Sequence, residues 1–175
     1  MIKFIIHFKY NFHFLSENIS FLDRHSDFVA SCSQKFFGSA KQDQKNNVNF
    51  SLEQTTAKER IDCLLNNIWQ SHSIYYSVIR TQIIKKCQFL GQHFQAQDWV
   101  IDIFLAQYGK IALQNKSYII IGRSGVSIVD PYKPFRTSWI EFFIPLYTFH
   151  KRFNFLINSF SFFDKSALQL KIIFL

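Results

Sequence analysis

Cysteine is scarce and poorly spaced for chemistry. The chain of 175 residues holds three, Cys32, Cys63 and Cys87. An odd number in a chain this long argues against a disulfide framework and suits a reducing compartment. No C-x-x-C pair occurs, and His72 and His93 fall in no ligand spacing, so no metal centre is expected. Charged residues are few too, 18% against 48% hydrophobic. That is too apolar for intrinsic disorder and too often interrupted by charge for a multispanning membrane protein. Long apolar runs are missing. Trp139 to Phe149 contains Glu141 and Pro145 and stops well short of the ~20 residues a spanning helix needs. At the start, His7, Lys9, Asn11 and His13 break the run that a secretory leader would require. Acidic residues number 12 against 20 Lys plus Arg, a formal charge of +8. That balance favours anionic partners.

Catalytic signatures are lacking as well. Gly122-Arg-Ser-Gly125 has no Lys-Ser/Thr pair, no following helix, and one residue too few for a nucleophile elbow. It is expected to turn a β-hairpin. Cys63 and Cys87 sit on or beside apolar helix faces, where cysteine behaves as a small hydrophobe. Nothing orients Cys87 with His93 as a catalytic pair. Asp98 and Asp102, four apart, are expected on a solvated helix face. No catalytic residue and no cofactor is expected; the chain does not read as an enzyme.

Phenylalanine is what the sequence has in excess. Of 22 in all, five lie in residues 1–23 and nine in 141–175. Both ends combine Phe, Ile, Lys, Asn and Ser with little periodicity, the residues that A/T-rich codons encode. The ends are therefore expected to be irregular, and in part an artefact of the gene model around a genuine central segment. Gly38 to Asn49 is polar without an apolar period, a linker or a disordered loop.

Between these ends the pattern is legible. Thr56 and Glu59 form a capping box, followed by Ala57, Ile61, Leu64, Leu65 and Ile68 at helical spacing. Tyr75, Ile79, Ile83, Cys87 and Leu90 predict a second helix that stops at Gly91. A third apolar face, Ala96, Val100, Ile103 and Phe104, ends at Tyr108 before Gly109. Lys110–Gln114, Ser117–Ile121 and Val126–Asp130 then read as strands, with Phe135 to Phe143 as a further one. The expected class is α+β: a small helical bundle followed by an incomplete antiparallel sheet, with irregular Phe-rich termini. The expected division is 1–50 as a poorly defined segment with the polar linker, 51–108 as a helical lobe, 109–143 as a sheet lobe, and 144–175 as a Phe-rich tail of undefined structure.

Trp99 to Leu113, continuing through Ser117 to Asp130, resembles the junction of a FERM module. The match is an apolar helix ending Leu105-x-x-Tyr108-Gly109, then an apolar strand, Ile119 to Ile121, then Gly125-Val126-x-Ile128 and Asp130. Phe135 and Trp139 look like the aromatic positions of the next strand. This resemblance, closest to the tails of unconventional myosins and talin-like proteins, implies a PH-like third lobe after a helical second lobe. It implies a non-catalytic adaptor that links membrane or receptor tails to the cytoskeleton, in the cytoplasm or at the membrane periphery. Its partners would be acidic peptide tails or phosphoinositide head groups, together with cytoskeletal proteins. By charge and location Lys110, Arg123, Lys133 and Arg136 are the candidate anion contacts; Arg80, Lys85 and Lys86 are expected near one face at the end of the second helix. The competing readings are a non-functional fragment and a basic nucleic-acid-binding protein. The basic residues form no dense stripe, which disfavours nucleic acid.

Overall fold

The computed structural model describes residues 8–10, 13–37, 49–92, 94–121, 139–144 and 146–173. Four strands, β1 (Phe8–Tyr10), β2 (Phe28–Phe37), β3 (Val78–Ile79) and β4 (Lys110–Ile121), form one sheet in the order β1-β4-β2-β3. Eight α-helices accompany them among the described residues: α1 (Phe14–Arg24), α2 (Ala57–Asn66), α3 (His72–Tyr75), α4 (Thr81–Ile84), α5 (Gln97–Tyr108), α6 (Ile140–Phe143), α7 (Tyr147–Leu156) and α8 (Phe162–Ile173). The class is α+β.

The sheet is mixed, which corrects the antiparallel expectation. Its two long strands, β2 and β4, run parallel, while β1 and β3 pair antiparallel with β4 and β2. A parallel pair needs a long crossover rather than a hairpin turn. Here the crossover contains α2 to α5. Lys110–Gln114 and Ser117–Ile121 belong to one strand, with an irregularity opposite Ser33/Gln34 that leaves Asn115 and Lys116 exposed. The proposed hairpin partner, Val126–Asp130, lies outside the described residues. The segment before residue 50, which lacks clear periodicity, supplies both α1 and the central strand β2. The second predicted helix is also corrected. Val78 and Ile79 pair with β2, and Tyr75 to Leu90 is broken into the one-turn helices α3 and α4. Ile140–Phe143 is helical rather than extended, and the Phe-rich tail forms α7 and α8.

Alternation along β2 directs its side chains to two different layers. Ala30 and Cys32 join the main core with Leu64, Leu65, Ile103, Leu105, Phe149 and Phe153. Ser31 and Ser33 face α1 instead. There Asn18, fully buried, donates from Nδ2 to Ser33 Oγ (2.8 Å) and to the Phe14 carbonyl (2.8 Å), and accepts from Ser31 Oγ (2.6 Å). Ser33 and Ser117 share a further hydrogen bond of 2.6 Å. This network ties α1 to both long strands without leaving a polar atom of Asn18 unsatisfied.

The predicted capping box is present. Thr56 Oγ1 accepts from the Glu59 amide (3.2 Å), and the Thr56 amide donates to Glu59 Oε2 (3.1 Å). α5 is buried from Trp99 to Ala106, surrounded by α2, α3, α7 and the sheet. A helix apolar on nearly all sides belongs in the middle of a fold. Its C-terminal Gly109 has extended backbone, φ 174°.

Candidate functional site

Basic side chains converge where β2 and β4 begin. Arg80, immediately before α4, donates from Nε to the Phe28 carbonyl (2.8 Å) and from Nη2 to the carbonyls of Leu22 (2.5 Å) and His25 (3.0 Å). Its guanidinium is thereby a second, charged donor to the Leu22 and His25 carbonyls at the C-terminal end of α1, which also accept the His25 and Phe28 amides, and it sits where that helix's dipole is negative. The Arg80 amide donates to the Val29 carbonyl (3.0 Å), which fixes α4 against the sheet.

Beside this anchor, Arg80, Thr81, Gln82 and Lys85 line an open hollow of about 480 Å³. Lys85 and Lys86 are both exposed. The Lys86 ammonium lies 5.5 Å from the centre of the Tyr108 ring, a cation–π distance that draws it toward the end of α5. Lys110 follows on β4. It forms an ion pair with Asp27 (2.8 Å) and lies 5.6 Å from the Phe28 ring centre. The hydrogen bond from Lys110 holds the exposed Asp27 carboxyl below its usual range. The corner therefore carries four cations, Arg80, Lys85, Lys86 and Lys110, with Asp27 as the partner of Lys110.

Of the four residues chosen from sequence, Lys110 stands at this corner, engaged by Asp27. Arg123, Lys133 and Arg136 lie outside the described residues. Arg80, Lys85 and Lys86 share the corner as their spacing suggested, though not on one continuous helix. The role of Arg80 as a clamp on three carbonyls had no sequence signal, because its acceptors lie more than fifty positions away.

A second polar group is buried between β2, α3 and α5. Lys35 is 2% exposed and donates from Nζ to the Gln70 carbonyl. Asp102 is 0% exposed, contrary to the solvated face expected for it. The correction follows from α5 being enclosed on all sides. Burial pushes the Asp102 carboxyl well above the carboxylate range and Asp98 adds to this, while Ser71 and Lys35 pull the other way. Neither carboxyl oxygen finds a hydrogen-bond partner of ordinary geometry among the described residues. Burial pushes Lys35 down to about 8, opposed by Cys32 and Asp102. It pushes the Cys32 thiol up to about 12 despite the Ser73 hydroxyl, and that thiol donates to the Ala112 carbonyl (3.2 Å). A thiol held protonated and sealed from solvent is a poor nucleophile. His93, the other half of the Cys87 pair, lies outside the described residues.

Among the described residues no helix is long and apolar enough to cross a membrane. Comparison with protein-family models, with curated proteins and with solved structures finds no match to this chain.

Proposed function

We propose that the chain is a non-catalytic binding module whose basic corner receives a compact polyanion, a phosphoinositide head group. The observation that carries this reading is the open hollow at Arg80, Thr81, Gln82 and Lys85, with Lys85 and Lys86 exposed beside it. Arg80 is held rigidly by three carbonyls, so its charge is fixed without further loss of side-chain freedom. Lys85 and Lys86 can move to meet phosphate oxygens as flexible point charges. Thr81 and Gln82 add neutral donors. The burial of Cys32 and its raised thiol pKa favour a structural role for it, in keeping with a module that performs no chemistry.

The FERM-like adaptor reading draws support from the seam at Gly109, where α5 ends and β4 begins. The parallel β2–β4 pair is not a feature of a PH-like sheet. The proposal therefore rests on the corner, and a link to the cytoskeleton is an extension of it.

Calorimetric titration of the full chain with inositol 1,4,5-trisphosphate tests the proposal. Saturable binding that weakens with added salt, and that K85E/K86E removes, is the expected result. Binding of a polyglutamate peptide with no binding of the trisphosphate would move the assignment to acidic peptide tails. Equal binding by parent and K85E/K86E would dismiss the corner.

A further inference from the structure

The most exposed apolar side chains among the described residues lie on the C-terminal helices. On α7, Phe149, Phe153 and Leu156 point into the core, while Tyr147, Lys151 and Phe155 recur every four residues on the outer side. At the turn into α8, Phe162 and Phe163 are 78% and 83% exposed, with ring centres 5.9 Å apart. A turn separates these rings from Phe155, itself 59% exposed.

We infer that this face docks on an anionic lipid bilayer, with Phe162 and Phe163 entering the boundary between head groups and acyl chains. Three observations select that occupant. Rings exposed over about four-fifths of their surface protrude rather than line a cleft, so a rigid partner would need matching pockets, whereas a bilayer accepts them in any arrangement. Lys151 lies exposed between Tyr147 and Phe155 on α7, and Asp164, the carboxylate next to the α8 rings, is paired with Lys58 (3.5 Å), so the charge near these rings suits lipid phosphates. A second copy would bring the same lysine and a chain of formal charge +8 against its own like. This inference does not rest on the basic corner, since its surface lies on other elements.

Co-sedimentation of the full chain with phosphatidylcholine vesicles, and with vesicles containing 30% phosphatidylserine (about that fraction is enough to set a negative surface potential), tests it. The parent is expected to bind the phosphatidylserine vesicles preferentially. F162S/F163S should weaken that binding by about tenfold or more, with unchanged circular dichroism, because both side chains are already solvent-exposed. K85E/K86E serves as the control that separates the two readings. If K85E/K86E abolishes sedimentation while F162S/F163S leaves it intact, the lipid face is refuted and the corner stands. A parent that binds neither vesicle also refutes it. So does a concentration-dependent dimer that F162S/F163S dissolves in the absence of vesicle binding.

Discussion

Replacing Gly109 with alanine tests the packing of the helix-to-strand seam. Its backbone is extended, so a side chain meets no conformational penalty there. The obstacle is steric. A methyl at this position would sit 2.5 Å from Val29 Cγ1, 3.3 Å from the Asp27 carbonyl oxygen and 3.5 Å from Val29 Cβ. Carbon atoms settle at about 3.5–4.0 Å, so the first contact is short by at least ~1 Å. Val29 is buried, β-branched and stiff about χ1, and it cannot swing aside freely. The strain of such overpacking is about 1–3 kcal/mol, a fall of roughly 3–10 °C in Tm for a chain of this size. Urea denaturation of Gly109→Ala, Val29→Ala and the pair supplies the assay. Val29→Ala alone loses packing, but in the double variant the new methyl fills part of the vacated space. The double variant is therefore expected to be more stable than the sum of the singles by about 1 kcal/mol or more. A Gly109→Ala protein within ~0.5 kcal/mol of the parent, or strictly additive effects, would refute the close approach of Gly109 to Val29.

The buried ionisable pair gives opposite pH slopes. Asp102 holds its proton more tightly folded than unfolded, so its contribution is full below about pH 3.9 and is lost as pH rises through its raised folded pKa. Asp102→Leu should flatten the decline of stability above pH 4, measured by urea titration at successive pH values. Lys35 favours the neutral amine when folded, so stability rises between about 8 and its ordinary 10.5; Lys35→Met should remove that rise. Parent-like slopes in both variants would contradict the burial of these groups. Arg80→Met should cost about 2 kcal/mol in thermal or urea unfolding, because three carbonyls lose a charged donor. Arg80→Lys should recover only part of that, since one ammonium lacks the spread of the guanidinium fork. Thr56→Ala should cost about 1 kcal/mol through loss of the capping box, and Thr56→Ser should restore most of it.

Local chemistry made some elements legible and left others hidden. α2 was readable because its cap and its apolar spacing are both contained within a dozen residues. Gly91 has the left-handed backbone expected of it, φ 75°, but in a turn and not at a helix end, because α4 already stops at Ile84. Gly109 marked the end of α5 correctly for a different reason, the proximity of Val29 rather than a left-handed turn. β2 was not legible. Ala30, Ser31, Cys32 and Ser33 are all small, so apolar alternation is muted, and the partners of the serines come from Asn18 and Ser117. Its parallel mate lies some eighty positions onward, beyond the reach of any local pattern. Asp102 reads as solvated from sequence because spacing reveals one apolar face of α5 but not that the opposite face is covered too. The apolar spacing from Tyr75 to Leu90 suits a helix, yet pairing of Val78 and Ile79 with β2 and the carbonyl clamp of Arg80 prevail over it. Lys85 and Lys86 were identifiable by charge, while the hollow beside them depends on tertiary placement.

The pairing of β2 with β4 also sets a timetable for biogenesis. β2 ends at Phe37 and β4 at Ile121, so a ribosome adding about 5–20 residues per second leaves β2 without its mate for roughly 4–17 s. During that interval a ten-residue strand ending in two phenylalanines emerges with unsatisfied backbone edges. Nascent chains stalled between these points should be the ones that recruit holdase chaperones, and release should coincide with emergence of β4 from the exit tunnel.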